Sequence, residues 1–98
     1  MFRELDPLLH SQLRLSIMSL LISLKSATFT FLLEKTGATR GNISVQLKKL
    51  EEAGYIEIDK SFHDNYPLTT CRITKKGIEA FEKYVDILKD YLGRISNE

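Results

Sequence analysis

The chain has 98 residues, 43% of them hydrophobic, which suits one domain with one modest hydrophobic core. Fourteen basic residues against thirteen acidic ones leave a formal net charge of +1. A charge this small creates no overall field that attracts nucleic acid, so any basic surface must be local. The single cysteine, Cys71, excludes an intramolecular disulfide and a cysteine metal cluster, and is typical of a reducing, cytoplasmic setting.

The sequence indicates neither a secreted nor a membrane protein. Residues 1–11 lack an apolar run with a small-residue cleavage site. The most apolar stretch, residues 13–24, contains Arg14 and is too short to cross a bilayer of about 30 Å. We therefore expect no membrane partner.

The sequence also lacks the usual signs of catalysis or metal binding. His10 and His63 lie far apart, and neither has a cysteine or carboxylate at metal-ligand spacing. No glycine-rich phosphate loop or nucleophile motif occurs. We expect no enzyme activity, no metal and no cofactor.

The first predicted helix begins after the start signal Asp6-Pro7, with an interruption near His10 and Ser11. From Leu13 onward it carries two apolar stripes. One stripe consists of Leu13, Ile17, Leu20, Leu21 and Leu24, and the other of Leu15, Met18 and Ile22. A helix that is apolar on two sides needs two partners, so the first stripe is assigned to the core and the second to a second subunit or the terminal helix.

Two short helical runs follow. Thr28 caps the first, which Gly37 ends, and Thr39 caps the second. The second run places apolar residues at spacings of four and three: Ile43, Leu47 and Leu50. Two helices joined by a tight, glycine-containing turn predict a helix-turn-helix over residues 28–53.

After Gly54 the apolar period changes from that of a helix to that of a strand. Ile56 and Ile58 alternate with acidic residues, and Cys71 and Ile73 alternate with polar ones. The turn-forming cluster HDNYP lies between the two runs. The pattern predicts a β-hairpin with an exposed loop over residues 55–74.

The last predicted helix, residues 75–95, has a heptad seam. Its apolar residues alternate at spacings of three and four: Ile78, Phe81, Val85, Leu88, Leu92 and Ile95. Such a seam predicts a homodimer, whose interface would also take in Leu15, Met18 and Ile22. Tyr84 and Tyr91 would line either an effector pocket or the aromatic edge of the seam, and we favour the seam. Nothing in the sequence supports a small-molecule effector.

The runs GNISVQLKKLEEAGYIEIDKSF and TTCRITKKGIEAFEKY resemble winged-helix regulators of the MarR-like and ArsR-like kind, above all the small stand-alone DNA-binding proteins related to them. The resemblance covers essentially the whole chain. It implies a dimeric prokaryotic transcription factor whose third helix enters the major groove of double-stranded DNA. The expected fold class is α+β and mainly α: one domain over residues 1–98, with a three-helix core, a β-hairpin wing, an N-terminal segment and a long C-terminal dimerisation helix.

The residues of the third helix support this interpretation independently. When the apolar stripe of this helix faces inward, its outward face carries three polar residues at i, i+4 and i+8: Arg40, Ser44 and Lys48. Arginine can pair with guanine, serine with bases or phosphate, and lysine with phosphate. Glu51 and Glu52 are expected outside the groove. The predicted DNA-binding set is Thr39, Arg40, Gly41, Asn42, Ser44, Val45, Gln46, Lys48, Lys49, Lys60 and Arg72, in which Asn42 and Gln46 rank lower because they could point along the helix flank.

The wing departs from the pattern of the family. Residues 61–67 contain neither lysine nor arginine, although many winged helices place a basic residue there to enter the minor groove. Lys60 and Arg72 at the hairpin base are therefore the predicted contacts with the DNA backbone.

The alternative function is a winged-helix protein-interaction module without DNA binding. The acid-free run from Lys35 to Lys49, with four basic residues, argues against it.

Overall fold

The computed structural model describes residues 2–96, and side chains as far as residue 93. The elements in chain order are α1 (Gln12–Leu24), β1 (Ser26–Thr28), α2 (Phe29–Thr36), α3 (Arg40–Glu52), β2 (Ile56–His63), β3 (Tyr66–Ile73) and α4 (Lys75–Ser96). Helices carry most of the described chain, and β2 and β3 form the hairpin that we call the wing. The predicted winged-helix fold, of the α+β class and mainly α, is confirmed.

Side-chain caps begin the central helices where the sequence predicts. The Thr28 hydroxyl accepts a hydrogen bond from the Phe31 N–H at 3.1 Å, and the Thr39 hydroxyl accepts one from the Asn42 N–H at 3.2 Å. Gly37 ends α2 with a φ of 69°, a left-handed conformation that glycine adopts without strain. The turn between α2 and α3 is therefore tight, as a helix-turn-helix requires.

The N-terminal segment, residues 2–11, forms less helix than the Asp6-Pro7 signal indicates. The Asp6 carboxylate accepts the Leu8 N–H at 2.9 Å, but the segment makes only a turn at residues 7–9. Ser11 is extended, and α1 begins at Gln12. The predicted helix start at Asp6-Pro7 is therefore wrong, and His10 and Ser11, where a break was expected, precede the helix.

The sheet has three antiparallel strands in the order β1-β3-β2. Sequence patterning misses β1 because three residues are too few to show an alternation. The predicted exposed connection between the wing strands is present but shorter than a loop: only Asp64 and Asn65 turn, with φ of 51° and 68°, while His63 pairs with Tyr66 and Phe62 with Pro67. Aspartate and asparagine tolerate this left-handed region, which matches the twist of a two-residue hairpin.

The core lies between α1, the helix-turn-helix and the inner face of the sheet. Its buried apolar residues are Leu9, Ile17, Met18, Leu21, Leu32, Ile43, Leu47, Leu50, Ile56, Cys71, Ile73 and Tyr84. Met18 is fully buried, so its assignment to a dimer interface is wrong, whereas Leu24, assigned to the core, is exposed. The reason is that α1 contacts α2, α3, α4 and the sheet, so its buried arc is wider than one stripe.

The terminal helix α4 has two apolar faces. On one face Tyr84 and Ile87 are buried, and the Tyr84 hydroxyl lies 3.0 Å from Nδ1 of His10. The Tyr91 hydroxyl, on the same face, donates to the Arg3 carbonyl at 2.8 Å. The dimer-interface assignment of Tyr84 is therefore wrong, and Tyr91 contacts the N-terminal segment of its own chain. Heptad spacing cannot distinguish an intramolecular partner from a second subunit.

The other face of α4 carries the predicted seam. Ile78, Phe81 and Val85 are half-buried, whereas Leu88 and Leu92 are exposed. The Ile95 side chain lies outside the described residues. Of the other predicted interface residues, half-buried Ile22 shares a groove with Phe81 and Val85, and half-buried Leu15 lies beside α2. Among the helices described, none is both long and apolar enough to span a membrane.

Candidate nucleic-acid interface

A cleft of about 660 Å³ separates one flank of α3 from the wing, and we call it the α3–wing cleft. Arg40, Ser44 and Lys48 form its wall on α3, and Lys60 with Thr69 forms its wall on the wing. Three cationic side chains therefore surround one channel. The row at i, i+4 and i+8 is exposed, as predicted, and it faces the wing because it lies to one side of the buried stripe of α3.

Phe29, at the start of α2, supports Arg40 inside this cleft. The guanidinium carbon lies 5.7 Å from the centre of the Phe29 ring, which is the range of a cation–π contact. Such a contact leaves the guanidinium N–H groups available as donors. Arg40 also occupies the first position of α3 after the Thr39 cap, where the helix dipole favours anions.

Glu51 also lines the cleft. That Glu51 and Glu52 lie outside the major groove stays a prediction. Oε1 of Glu51 lies 3.4 Å from Nζ of Lys48, and the Glu51 side chain is 35% exposed. Seven residues are close to two helical turns, so Glu51 falls on the same row as Ser44. The cleft thus contains a carboxylate that pairs with one of its cations.

The outermost strip of α3 contains Gly41 and Val45. A Cβ added at Gly41 would meet no atom within 4 Å, so no contact among the described residues requires glycine at this position. Val45 is exposed to solvent, as is Thr39 at the start of the helix. The start of this strip therefore carries only small side chains, and exposed Glu52 lies on the same strip two turns beyond Val45.

The flank of α3 opposite the wing is tied to α1. The Asn42 side-chain oxygen accepts from Nε2 of Gln46 at 3.1 Å, and Oε1 of Gln46 accepts from the guanidinium of Arg14. The same arginine donates through Nε to the Leu8 carbonyl at 2.6 Å. Asn42 and Gln46 therefore lie along the helix flank, as their lower ranking anticipated, with exposed Lys49 near them.

Arg14 is a residue of this region that the sequence interpretation missed. A single arginine within an apolar helix was read as an argument against a membrane span. Its position between apolar residues is also the signal for a buried polar contact, because a cation in such surroundings needs hydrogen-bond acceptors.

Arg72 lies on the opposite face of the wing from Lys60. It pairs with Glu57 in the strand register, and its Nη1 lies 3.6 Å from the Glu57 carboxylate. Side chains alternate along a strand, so Lys60, three residues from Glu57, points to the other face. The structure brings Lys60 to the cleft and does not bring Arg72 there.

A second cleft, of about 450 Å³, separates the N-terminal segment from α4. Asp6, Tyr55, Lys83 and Tyr84 line it, and the Tyr55 hydroxyl donates to Oδ2 of Asp6 at 2.5 Å. Burial, followed by this hydrogen bond and the charge of Asp6, raises the pKa of Tyr55 to about 12. Within the described residues, no group of three or more histidine, cysteine, aspartate or glutamate side chains could hold a metal ion.

Comparisons with known proteins agree with this architecture. Residues 13–92 match the model of a winged helix DNA-binding domain. An uncharacterized protein of Methanocaldococcus jannaschii is 41% identical over 76 residues, which is 78% of this chain and 83% of the relative. A transcriptional regulator homologue of Pyrococcus horikoshii has a similar structure, with a TM-score of 0.85 and 27% identity over 90% of this chain and 87% of that one.

NadR, whose structure was solved in complex with 4-hydroxyphenylacetate, shares the fold at a TM-score of 0.71 and 20% identity, over 93% of this chain and 67% of that chain. The family match covers most of the chain and includes the helix-turn-helix, the wing and most of α4. The predicted resemblance to small winged-helix regulators is confirmed. The chain belongs to the winged helix DNA-binding domain family and has the fold of transcriptional regulators.

Proposed function

We propose that this protein is a transcriptional regulator that binds specific sequences of double-stranded DNA as a homodimer, with α3 in the major groove. The observation that carries the proposal is the α3–wing cleft, where Arg40, Lys48 and Lys60 converge on one channel. The whole chain has a formal charge of only +1, so this convergence is the local basic surface that DNA binding requires.

The dimensions of DNA suit this arrangement. A major groove about 12 Å wide admits one α-helix, and the outer strip of Gly41 and Val45 is the part of α3 that can approach the base edges. With α3 in the groove, one sugar-phosphate strand would run through the α3–wing cleft. Lys48 and Lys60 would neutralise its phosphates from opposite walls.

Arg40 and Ser44 are the proposed base-reading residues on the cleft side of α3. Arg40 stands at the start of the helix, where HTH recognition helices contact base edges, and its planar guanidinium can pair with O6 and N7 of guanine. Asn42 and Gln46 would act from the other flank. The Gln46 amide donates to the Asn42 side-chain oxygen and accepts from Arg14, and these contacts orient both amides.

The homodimer is inferred from the seam face of α4. Phe81, Val85 and Ile22 form the apolar part of a groove of about 310 Å³. Glu82, Asp86 and Lys89 also line this groove, and the exposed residues Leu88 and Leu92 continue the apolar seam toward the helix end. Two copies related by a twofold axis would present two α3 helices to successive major grooves. The operator is then an inverted repeat with half-sites about 10 base pairs apart.

Two substitutions in α3 test the proposal. Arg40→Ala is expected to cost about 1 to 3 kcal/mol of binding free energy and to relax base preference. Lys48→Ala is expected to weaken binding to all duplexes alike and to lower the slope of log K against log salt by about one. Fluorescence anisotropy on a selected operator and a scrambled duplex, at two salt concentrations, measures both effects.

Lys83→Ala, at an exposed lysine of α4, serves as the matched control, and we expect its affinity to equal that of the parent chain. Unchanged affinity in both α3 variants would contradict the proposed orientation on DNA. If the parent chain itself bound no duplex at low salt, the protein-interaction module would become the better proposal.

A further inference from the structure

The wing carries two large aromatic side chains beside its turn. Phe62 is 78% exposed and Tyr66 is 75% exposed, whereas residues 61–67 include neither lysine nor arginine. Eight-residue strands and a two-residue turn hold both rings on a regular hairpin. Exposed aromatic surface of this size on an ordered element is typical of an interaction site.

The two rings lie on opposite faces of the wing. In the strand register Phe62 pairs with Pro67, whereas Tyr66 pairs with His63. Since side chains alternate along a strand, Phe62 shares a face with Lys60, which lines the α3–wing cleft. Phe62 therefore extends the cleft wall by two residues, or about 7 Å, toward the tip.

The position of this face relative to DNA follows from the proposed function, on which the inference rests. If one sugar-phosphate strand occupies the cleft, α3 lies in the major groove on one side of that strand. The groove on the other side of the same strand is the minor groove. A side chain beyond Lys60 on the cleft face would reach it.

We propose that Phe62 is an apolar wedge that enters the minor groove next to the site of α3, in place of a basic wing residue. Apolar side chains inserted there pack against sugars and partly unstack a base step. The contact would add affinity without releasing counterions, and would favour easily deformed pyrimidine–purine steps at that position. Tyr66, on the other face, would not take part.

A comparison of Phe62→Ala with Tyr66→Ala tests the wedge. On an operator selected by the parent chain, we expect Phe62→Ala to lower affinity about tenfold, with an unchanged salt slope, because apolar contact area is lost and no charge is removed. Tyr66→Ala removes an equally exposed ring from the other face, and we expect its affinity to stay within about twofold of the parent, since surface changes away from the contact have little effect.

A second measurement follows the DNA itself. Aminopurine placed at the expected minor-groove step becomes fluorescent when it unstacks. The parent chain and Tyr66→Ala should raise this fluorescence, and Phe62→Ala should not. Thermal melting of both variants should match the parent, because neither ring is part of the core.

Equal losses in the two variants, a changed salt slope for Phe62→Ala, or unchanged affinity for Phe62→Ala would each overturn the wedge. Arg40→Ala is the control that distinguishes a wrong wedge proposal from a wrong proposed function. If Arg40→Ala weakens binding and Phe62→Ala does not, α3 binds DNA and the wing faces a different partner. If the parent chain binds no duplex, both proposals fail together.

Discussion

Glu51 places a carboxylate on the wall of the α3–wing cleft, where the proposed function needs positive charge. Its distance of 3.4 Å from Nζ of Lys48 means that part of the lysine charge is already compensated within the chain. An exposed pair of this kind adds little to stability. Its larger effect would fall on any phosphate that entered the cleft, since the carboxylate repels it.

Glu51→Gln is therefore expected to strengthen DNA binding. Glutamine keeps the size of the side chain and removes its charge, so affinity for any duplex should rise several-fold at low salt and the salt slope should steepen. The matched control is Glu57→Gln, which removes a carboxylate from the opposite face of the wing. An affinity increase of the same size in both variants would show that the overall charge, and not the position in the cleft, is responsible.

The residue-scale features that the sequence predicts correctly are those whose cause is local. The Thr28 and Thr39 caps satisfy N–H groups three residues away, so the sequence around them is sufficient. The contact of Arg14 with Gln46 spans 32 positions. It depends on how α1 crosses α3, which no local pattern encodes.

At the scale of elements, periodicity predicts the four helices and the two wing strands but not what each face contacts. The seam of α4 is a true apolar stripe, yet Tyr84 beside it packs on His10 of the same chain. The strand β1 depends on Lys25, whose φ of 71° turns the chain and whose carbonyl accepts the Ile73 N–H at 3.0 Å. Neither contact has a signature in sequence spacing.

Two titrating side chains, Cys71 and Tyr55, should make the stability of the fold sensitive to alkali. Burial, the largest cause, and the charge of Glu51 raise the pKa of Cys71 from 9.0 to about 11. Tyr55, at the start of the wing, has its pKa raised from 10.0 to about 12, mainly by burial and then by its hydrogen bond to Asp6. In both cases the fold favours the protonated form.

The free energy of unfolding should therefore be at its full value below about pH 9 and fall as the pH rises to about 12, because the unfolded chain loses these protons first. For the fully buried Cys71 the loss is up to about 1 kcal/mol per pH unit. Denaturant unfolding across this pH range measures the fall.

Cys71→Val and Tyr55→Phe each remove one of the two titrating groups, so each should make the pH profile shallower. Cys71→Val should also leave DNA affinity unchanged under reducing and oxidising conditions, because the thiol is buried in the core and serves as a small apolar side chain. A profile as steep in the double variant as in the parent would assign the alkaline loss to other groups.

At the scale of the whole molecule, α4 is the longest element. Its 22 residues span about 33 Å, and the molecule measures 59 Å along its longest axis and 25 Å along the next. The N-terminal segment covers one face of this helix through the contacts of Tyr84 and Tyr91. The seam face continues beyond the core, where Leu88 is 37% exposed and Leu92 is 57% exposed.

The final prediction concerns the proposed dimer. Replacing both Leu88 and Leu92 with glutamate would bury unpaired charge in the seam, at a cost of several kcal/mol, and light scattering should then give the mass of a monomer. The monomer should still fold, because both side chains are exposed within one chain, and circular dichroism should be unchanged. Affinity for an inverted repeat should fall much more than affinity for a single half-site, since two linked half-sites bind together. As a control, Lys83→Glu changes the net charge by the same amount as the double variant, but on the opposite side of α4, and it should leave the dimer intact. An unchanged dimer mass in the double variant would place the subunit contact elsewhere.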